Sequence, residues 1–160
     1  MDAIVNLDKL YEKRSGISEL YHRLVLLAGA SGSGKTAHLR GLAAAEGVPV
    51  LSLGEQISRR LLDLTEKQRV LQLPRILEEV MTGYPARLTL IDNTEILFNP
   101  ILQQDPLRLL QRLARDRTII ASWLGSADSG YLTFGVPEHP EFRRYPSGDL
   151  LIVSLGIANV

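Results

Sequence analysis

The sequence predicts a single three-layer α/β domain built on a five-stranded, mainly parallel sheet. Three observations lead there: five short apolar runs, helical segments between them, and one glycine-rich loop between the first run and the first helix. Strands so continuously apolar belong to a sheet covered on both faces. The chain has 160 residues and no internal repeat, low-complexity tract or linker, so residues 1–160 read as one domain.

Each element has its own local signal. Residues 23–28 (RLVLLA) are an apolar strand ending in a glycine-rich turn, and 35–46 (KTAHLRGLAAAE) is a helix stopped by Gly47. VPVLSL at 48–53 is the second strand, followed by a helical stretch over about 55–64. Another helix is predicted over 74–82, with Pro74 in its first turn and Gly83 beyond its end. LTLID at 88–92 is the third strand. The helix at 105–116 (DPLRLLQRLARD) opens with Asp105 as N-cap and Pro106 at its first position. TIIAS at 118–122 and LLIVSL at 150–155 complete the sheet. Residues 123–149 resist the pattern, holding three Pro, four Gly and five of the nine aromatic residues. A loop of that length is functional or carries its own hairpin, and YLTFG at 131–135 reads as a short strand.

Composition excludes several function classes. The 18 Lys+Arg balance 18 Asp+Glu, so binding to nucleic acid driven by excess positive charge is not expected. With no cysteine there is no disulfide scaffold, thiol catalysis or Cys-ligated zinc. The three His residues (His22, His38, His139) are too scattered for a His-rich metal cluster. No signal peptide or membrane span is legible, so a soluble cytoplasmic domain that does not enter a membrane is expected.

Residues 29–36 read GASGSGKT, a full match to G-x-x-x-x-G-K-[ST]. Average residue frequencies put a chance match in a chain of this length on the order of 1 in 200, and the flanking strand and helix sharpen it further. Gly29, Gly32 and Gly34 let the backbone curl, so that amides along Gly29, Ala30, Ser31, Gly32, Ser33 and Gly34 point inward at phosphate oxygens. The following helix adds its N-terminal partial charge. Lys35 would reach the β- and γ-phosphates of ATP, and the Thr36 hydroxyl would ligate Mg²⁺. The expected fold is therefore a P-loop NTPase core.

Asp92 ends the apolar strand LTLID, where its carboxylate would hold the Mg²⁺ shell opposite Thr36. Many ATPases of this kind place a catalytic Glu directly after that Asp; here the position is Asn93, and the nearest carboxylate is Glu95. Glu95 would act on the attacking water if the strand end turns there, with Asn93 orienting that water weakly; otherwise Glu95 is the exposed start of the next segment. Ser122 ends a strand expected between the phosphate-loop strand and the Asp92 strand. It is read either as a sensor of the γ-phosphate or as a plain strand-end hydroxyl. Arg108, Arg112 and Arg115 share one helix face, either solvated or facing DNA or a partner subunit. Arg143 and Arg144 in the aromatic-rich loop are either a surface pair or a source of an arginine finger for a neighbour's nucleotide.

The segments GASGSGKTAHLRGLA, LSLGEQISRRLLDL, LIDNTEILFNP, DPLRLLQRLARDRTIIASW and EHPEFRRY together resemble BrxF, the family of small P-loop proteins in type III BREX bacteriophage-exclusion systems. The resemblance spans nearly the whole chain and implies a bacterial cytoplasmic ATPase acting with other BREX components to restrict phage DNA. A broader similarity points to AAA+ and related ATPases, and the IDN-x-E form resembles the acidic motif of DnaA-like initiators. Against that wider family the chain is expected to lack a C-terminal helical lid domain and its second sensor arginine. A neighbouring subunit would then complete a shared nucleotide site in a homo-oligomer, and hydrolysis would be weak or partner-stimulated. Two further readings stand beside this one: a non-hydrolysing ATP-dependent switch or assembly subunit, and a small-molecule P-loop kinase. GTP is a minor alternative to ATP, since no Asn-Lys-x-Asp motif is present.

Overall fold

The computed structural model describes residues 23–135, 143–148 and 150–155. The strands are β1 (Leu24–Gly29), β2 (Val50–Ser52), β3 (Thr89–Asp92), β4 (Ile119–Asp128), β5 (Tyr131–Phe134), β6 (Arg143–Pro146) and β7 (Leu151–Ser154). The helices are α1 (Lys35–Glu46), α2 (Leu53–Leu61), α3 (Glu66–Met81) and α4 (Pro106–Leu113), with 3₁₀ turns at Thr94–Phe98 and Pro100–Leu102. The five expected strands form a parallel array in the order β2-β3-β4-β1-β7. The strand carrying Ser122 thus lies between the phosphate-loop strand and the Asp92 strand, as the sequence led us to expect.

Period-two alternation divides the core into two layers. Leu24, Leu26 and Ala28 of β1 pack with α2, α3 and α4, together with Leu51, Ile91 and Ala121. Val25 and Leu27 point the other way, onto Leu39 and Leu42 of α1. Every β1 residue is buried, which is why the run contains no polar position. Among the described residues no helical lid follows β7 and no helix is long and apolar enough to cross a membrane.

Two expectations are corrected. The helix predicted over 74–82 begins eight residues earlier, at Glu66, and Pro74 lies inside it. Its start is set by a capping box: Thr65 Oγ1 accepts from Gln68 N at 3.2 Å, and Gln68 Oε1 accepts from Thr65 N at 2.9 Å. Proline has no N–H, so Pro74 leaves the carbonyl of Val70 without its helical donor. Gln104 Nε2 supplies that bond from outside the helix, at 3.1 Å. Tertiary structure here overrides the usual breaking effect of an interior proline.

The sheet also has seven strands rather than five. β4 runs on past Ser122 to Asp128 and folds back as an antiparallel hairpin extension, β4-β5-β6. YLTFG does form a strand; RRYP was not legible as one, because β6 is an edge strand where polar residues and Pro146 are tolerated. The extension depends on Gly125, where an added Cβ would stand 1.7 Å from the Thr133 carbonyl oxygen. Trp123 Nε1 donates to that same oxygen at 2.9 Å. Residues 1–22 (His22 among them) and all of EHPEF (138–142, with His139) lie outside the described residues.

Candidate functional site

The chain leaves the buried β1 at Gly29 and curls through Gly32 and Gly34, whose φ angles of 82° and 94° are left-handed. Only glycine adopts such angles without strain, so their spacing sets the curl of the loop. α1 then starts at Lys35 with no side-chain cap, leaving its first amides free to donate to an anion. His38 braces the loop from within α1, its Nδ1 donating to Gly34 O at 2.7 Å.

Lys35 folds back on this loop. Its Nζ donates to Gly29 O at 2.9 Å and to Ala30 O at 2.8 Å, and the residue is only 9% exposed. Burial pulls the ammonium pKa below its ordinary value, while the nearby charges of Glu95 and Asp92 oppose that fall. A cation held in place by two neutral carbonyls is ready to exchange them for phosphate oxygens.

Across from it, Thr36 Oγ1 donates to Asp92 Oδ2 at 2.7 Å, and Asp92 Oδ1 accepts from Asn93 N at 2.9 Å. A hydroxyl and a carboxylate so close together are the hard oxygen donors Mg²⁺ prefers. Among the described residues no three His, Cys, Asp or Glu side chains gather to form an all-protein metal site. The pair therefore fits an ion that takes the rest of its shell from phosphate and water.

Asn93 adopts a left-handed conformation (φ 56°) and donates from Nδ2 to Ser52 Oγ at 2.8 Å. That kink turns the chain at the end of β3 and starts the 3₁₀ turn Thr94–Phe98. As a result Glu95 lines the same cavity, of about 430 Å³, as Gly32, Lys35, Thr36, Asp92 and Asn93. The strand end turns there, and seven of the expected site residues, with Ser31 and Gly34 beside those just named, line the cavity together with Glu95.

The other candidates lie elsewhere. Ser122 is completely buried and its Oγ has no hydrogen-bond partner among the described residues; its backbone oxygen accepts from Thr94 Oγ1 at 2.7 Å. It does not line the cavity, whereas Leu124, two residues on, does. Arg143 and Arg144 are on β6. Arg143 Nη2 donates to Gln104 O at 3.0 Å, and the Arg144 guanidinium lies 3.7 Å from the centroid of Tyr131. Neither lines this chain's cavity. Arg108 pairs with Asp105 at 3.5 Å, while Arg112 and Arg115 line a second cleft with Arg117, Glu78 and Asp116. Ser52, Thr94 and His38 were not singled out from sequence, since isolated polar residues carry no motif.

No family model and no curated protein matches the chain. Among solved structures it is similar to AMPPCP-bound DnaA from Aquifex aeolicus, at 15% identity and a TM-score of 0.47, covering 98% of this chain and 48% of that one. It is likewise similar to PCH-2 from C. elegans, at 19% identity and a TM-score of 0.46, covering 94% of this chain and 40% of that one. The chain thus spans less than half the length of either protein.

Proposed function

We propose that this protein binds Mg·ATP and hydrolyses it slowly, with a partner or a second copy stimulating turnover. One observation carries the reading: Lys35, the Thr36–Asp92 pair and Glu95 converge on a single cavity beside the phosphate loop. The loop amides and Lys35 would hold the phosphates, and Thr36 and Asp92 would hold Mg²⁺. Bound there, Mg²⁺ supplies charge neutralisation of the phosphate oxygens. Glu95 accepts a proton from water as the water oxygen attacks the γ-phosphorus, and the bond from that phosphorus to the bridging oxygen of ADP breaks.

The test pairs nucleotide binding with phosphate release. Lys35→Ala should abolish binding of a fluorescent ATP analogue. Glu95→Gln should keep binding and lower phosphate release by about a hundredfold, within the range for a general base. Undiminished release in Glu95→Gln would remove that residue from the chemistry.

A second reading has its own observation. The position directly after Asp92 is Asn93, an amide that cannot act as a base and whose Nδ2 is tied to Ser52 rather than turned to orient a water. On that reading the protein is an ATP-dependent switch or assembly subunit, and ATP changes its oligomeric state with little phosphate release. Sizing by light scattering with and without Mg·ATP separates the two.

The resemblance to BrxF supports a setting in phage defence, with other BREX components as partners and a cytoplasmic location. There, Lys35→Ala in a host carrying the system should lose phage restriction. Arg143 or Arg144 would complete a neighbour's site only after leaving its present contact. Reversing Arg112 and Arg115 to Glu should weaken assembly or DNA association and spare ATP binding, if that face meets a partner.

A further inference from the structure

The turn that carries Glu95 is anchored at both ends while the carboxylate itself is not. Thr94 Oγ1 holds its start through the bond to Ser122 O. Phe98 holds its end, with its ring stacked on Phe134 at 3.5 Å between centroids and 5° between planes. Trp123 meets Phe98 edge-on at 5.1 Å. Among the described residues Glu95 accepts no hydrogen bond and interacts with Lys35 only through charge, so the turn sets the backbone position from which its carboxylate reaches the cavity.

Phe134 belongs to β5, so the support of this turn comes from the hairpin. β5 is locked to β4 by the close approach at Gly125 and by the Trp123–Thr133 bond. β6 ties the hairpin to the helical layer. Tyr145 packs on Trp123 at 5.8 Å and donates to Asp105 Oδ1 at 3.2 Å, while Arg143 donates to Gln104 O.

We propose that Phe98 and Phe134 are positioning residues for Glu95, so that the β5–β6 hairpin sets whether this carboxylate faces the attacking water. The inference rests on the hydrolytic reading of the cavity. A stack with no such role would contribute only to folding, and its loss would act no differently from any other loss of core packing.

The discriminating variant is Phe134→Leu, which removes the stacked ring and keeps an apolar side chain. Phosphate release should fall about tenfold while the Kd for the fluorescent ATP analogue stays within twofold. In a Glu95→Gln background the same substitution should change release by less than twofold, because the group it positions is gone. Ile120→Ala, in the opposite core layer, serves as the control for thermal destabilisation without that effect. Equal losses in both backgrounds, or the same loss in Ile120→Ala, would overturn the proposal.

A second measurement holds if wild-type protein binds ATP and releases no phosphate, or if Phe134→Leu fails to fold. Trp123 is the only tryptophan and sits within the stack, so its emission reports the turn. Mg·ATP should shift that emission in the wild type and not in Glu95→Ala, at similar Kd. No shift in the wild type, or an equal shift in both, sinks the coupling. Absence of release alone sinks only the hydrolytic reading.

Discussion

Thr36 Oγ1 and Asp92 Oδ2 are joined by a 2.7 Å hydrogen bond across a separation of 56 residues. The bond brings the start of α1 against the end of β3 and sets side by side the two oxygen donors, Thr36 and Asp92, that would hold Mg²⁺. Thr36→Ala should therefore raise the Mg²⁺ concentration needed for half-maximal ATP binding by at least about tenfold, while Thr36→Ser keeps it near wild type. A Mg²⁺ titration of fluorescent-analogue binding measures this directly.

Pro74 and Gln104 form a compensated pair. Gln104→Ala leaves the Val70 carbonyl without its donor and should cost about 1–3 kcal/mol in urea unfolding. Pro74→Ala restores the helical N–H, so Gln104→Ala should cost less in that background. Equal costs in the two backgrounds would mean the Gln104 bond is incidental.

Tyr145 gives a pH dependence. Burial first, and then the charge of Asp105, push its phenol up to about 12 from an ordinary 10, with Arg143 acting the other way. The unfolded chain therefore loses this proton at lower pH than the folded one. Stability from this group is present below pH 10 and is lost as pH rises toward about 12. Tyr145→Phe should flatten the decline, seen as a smaller change in urea midpoint between pH 9 and 11 relative to wild type.

Gly125 and Gly148 should respond in opposite ways to alanine. An added Cβ at Gly125 meets backbone at 1.7 Å, whereas at Gly148 it meets none of the described residues within 4 Å. Gly125→Ala should cost at least about 2 kcal/mol and alter Trp123 emission, and Gly148→Ala should stay within about 0.5 kcal/mol. Thermal unfolding followed at Trp123 checks both.

Local chemistry alone determined much of this protein. An apolar run followed by Gly-x-x-x-x-Gly-Lys-Thr specifies a strand, a left-handed curl and a helix start, because backbone preference and amide geometry act over a few residues. Asp92 was legible for the same reason, as the one charged residue of the run LTLID and at its end. The extent of α3 was written in Thr65 and Gln68, but Pro74 masked it until Gln104, remote in sequence, supplied the missing donor. Whether Glu95 enters the cavity was decided only in three dimensions, by a left-handed Asn93 and by an aromatic stack drawing on β4 and β5. Arg143 and Ser122 show the same limit. A guanidinium or hydroxyl carries its chemistry in its sequence position, but its partner is chosen by packing among segments that only the folded chain brings together.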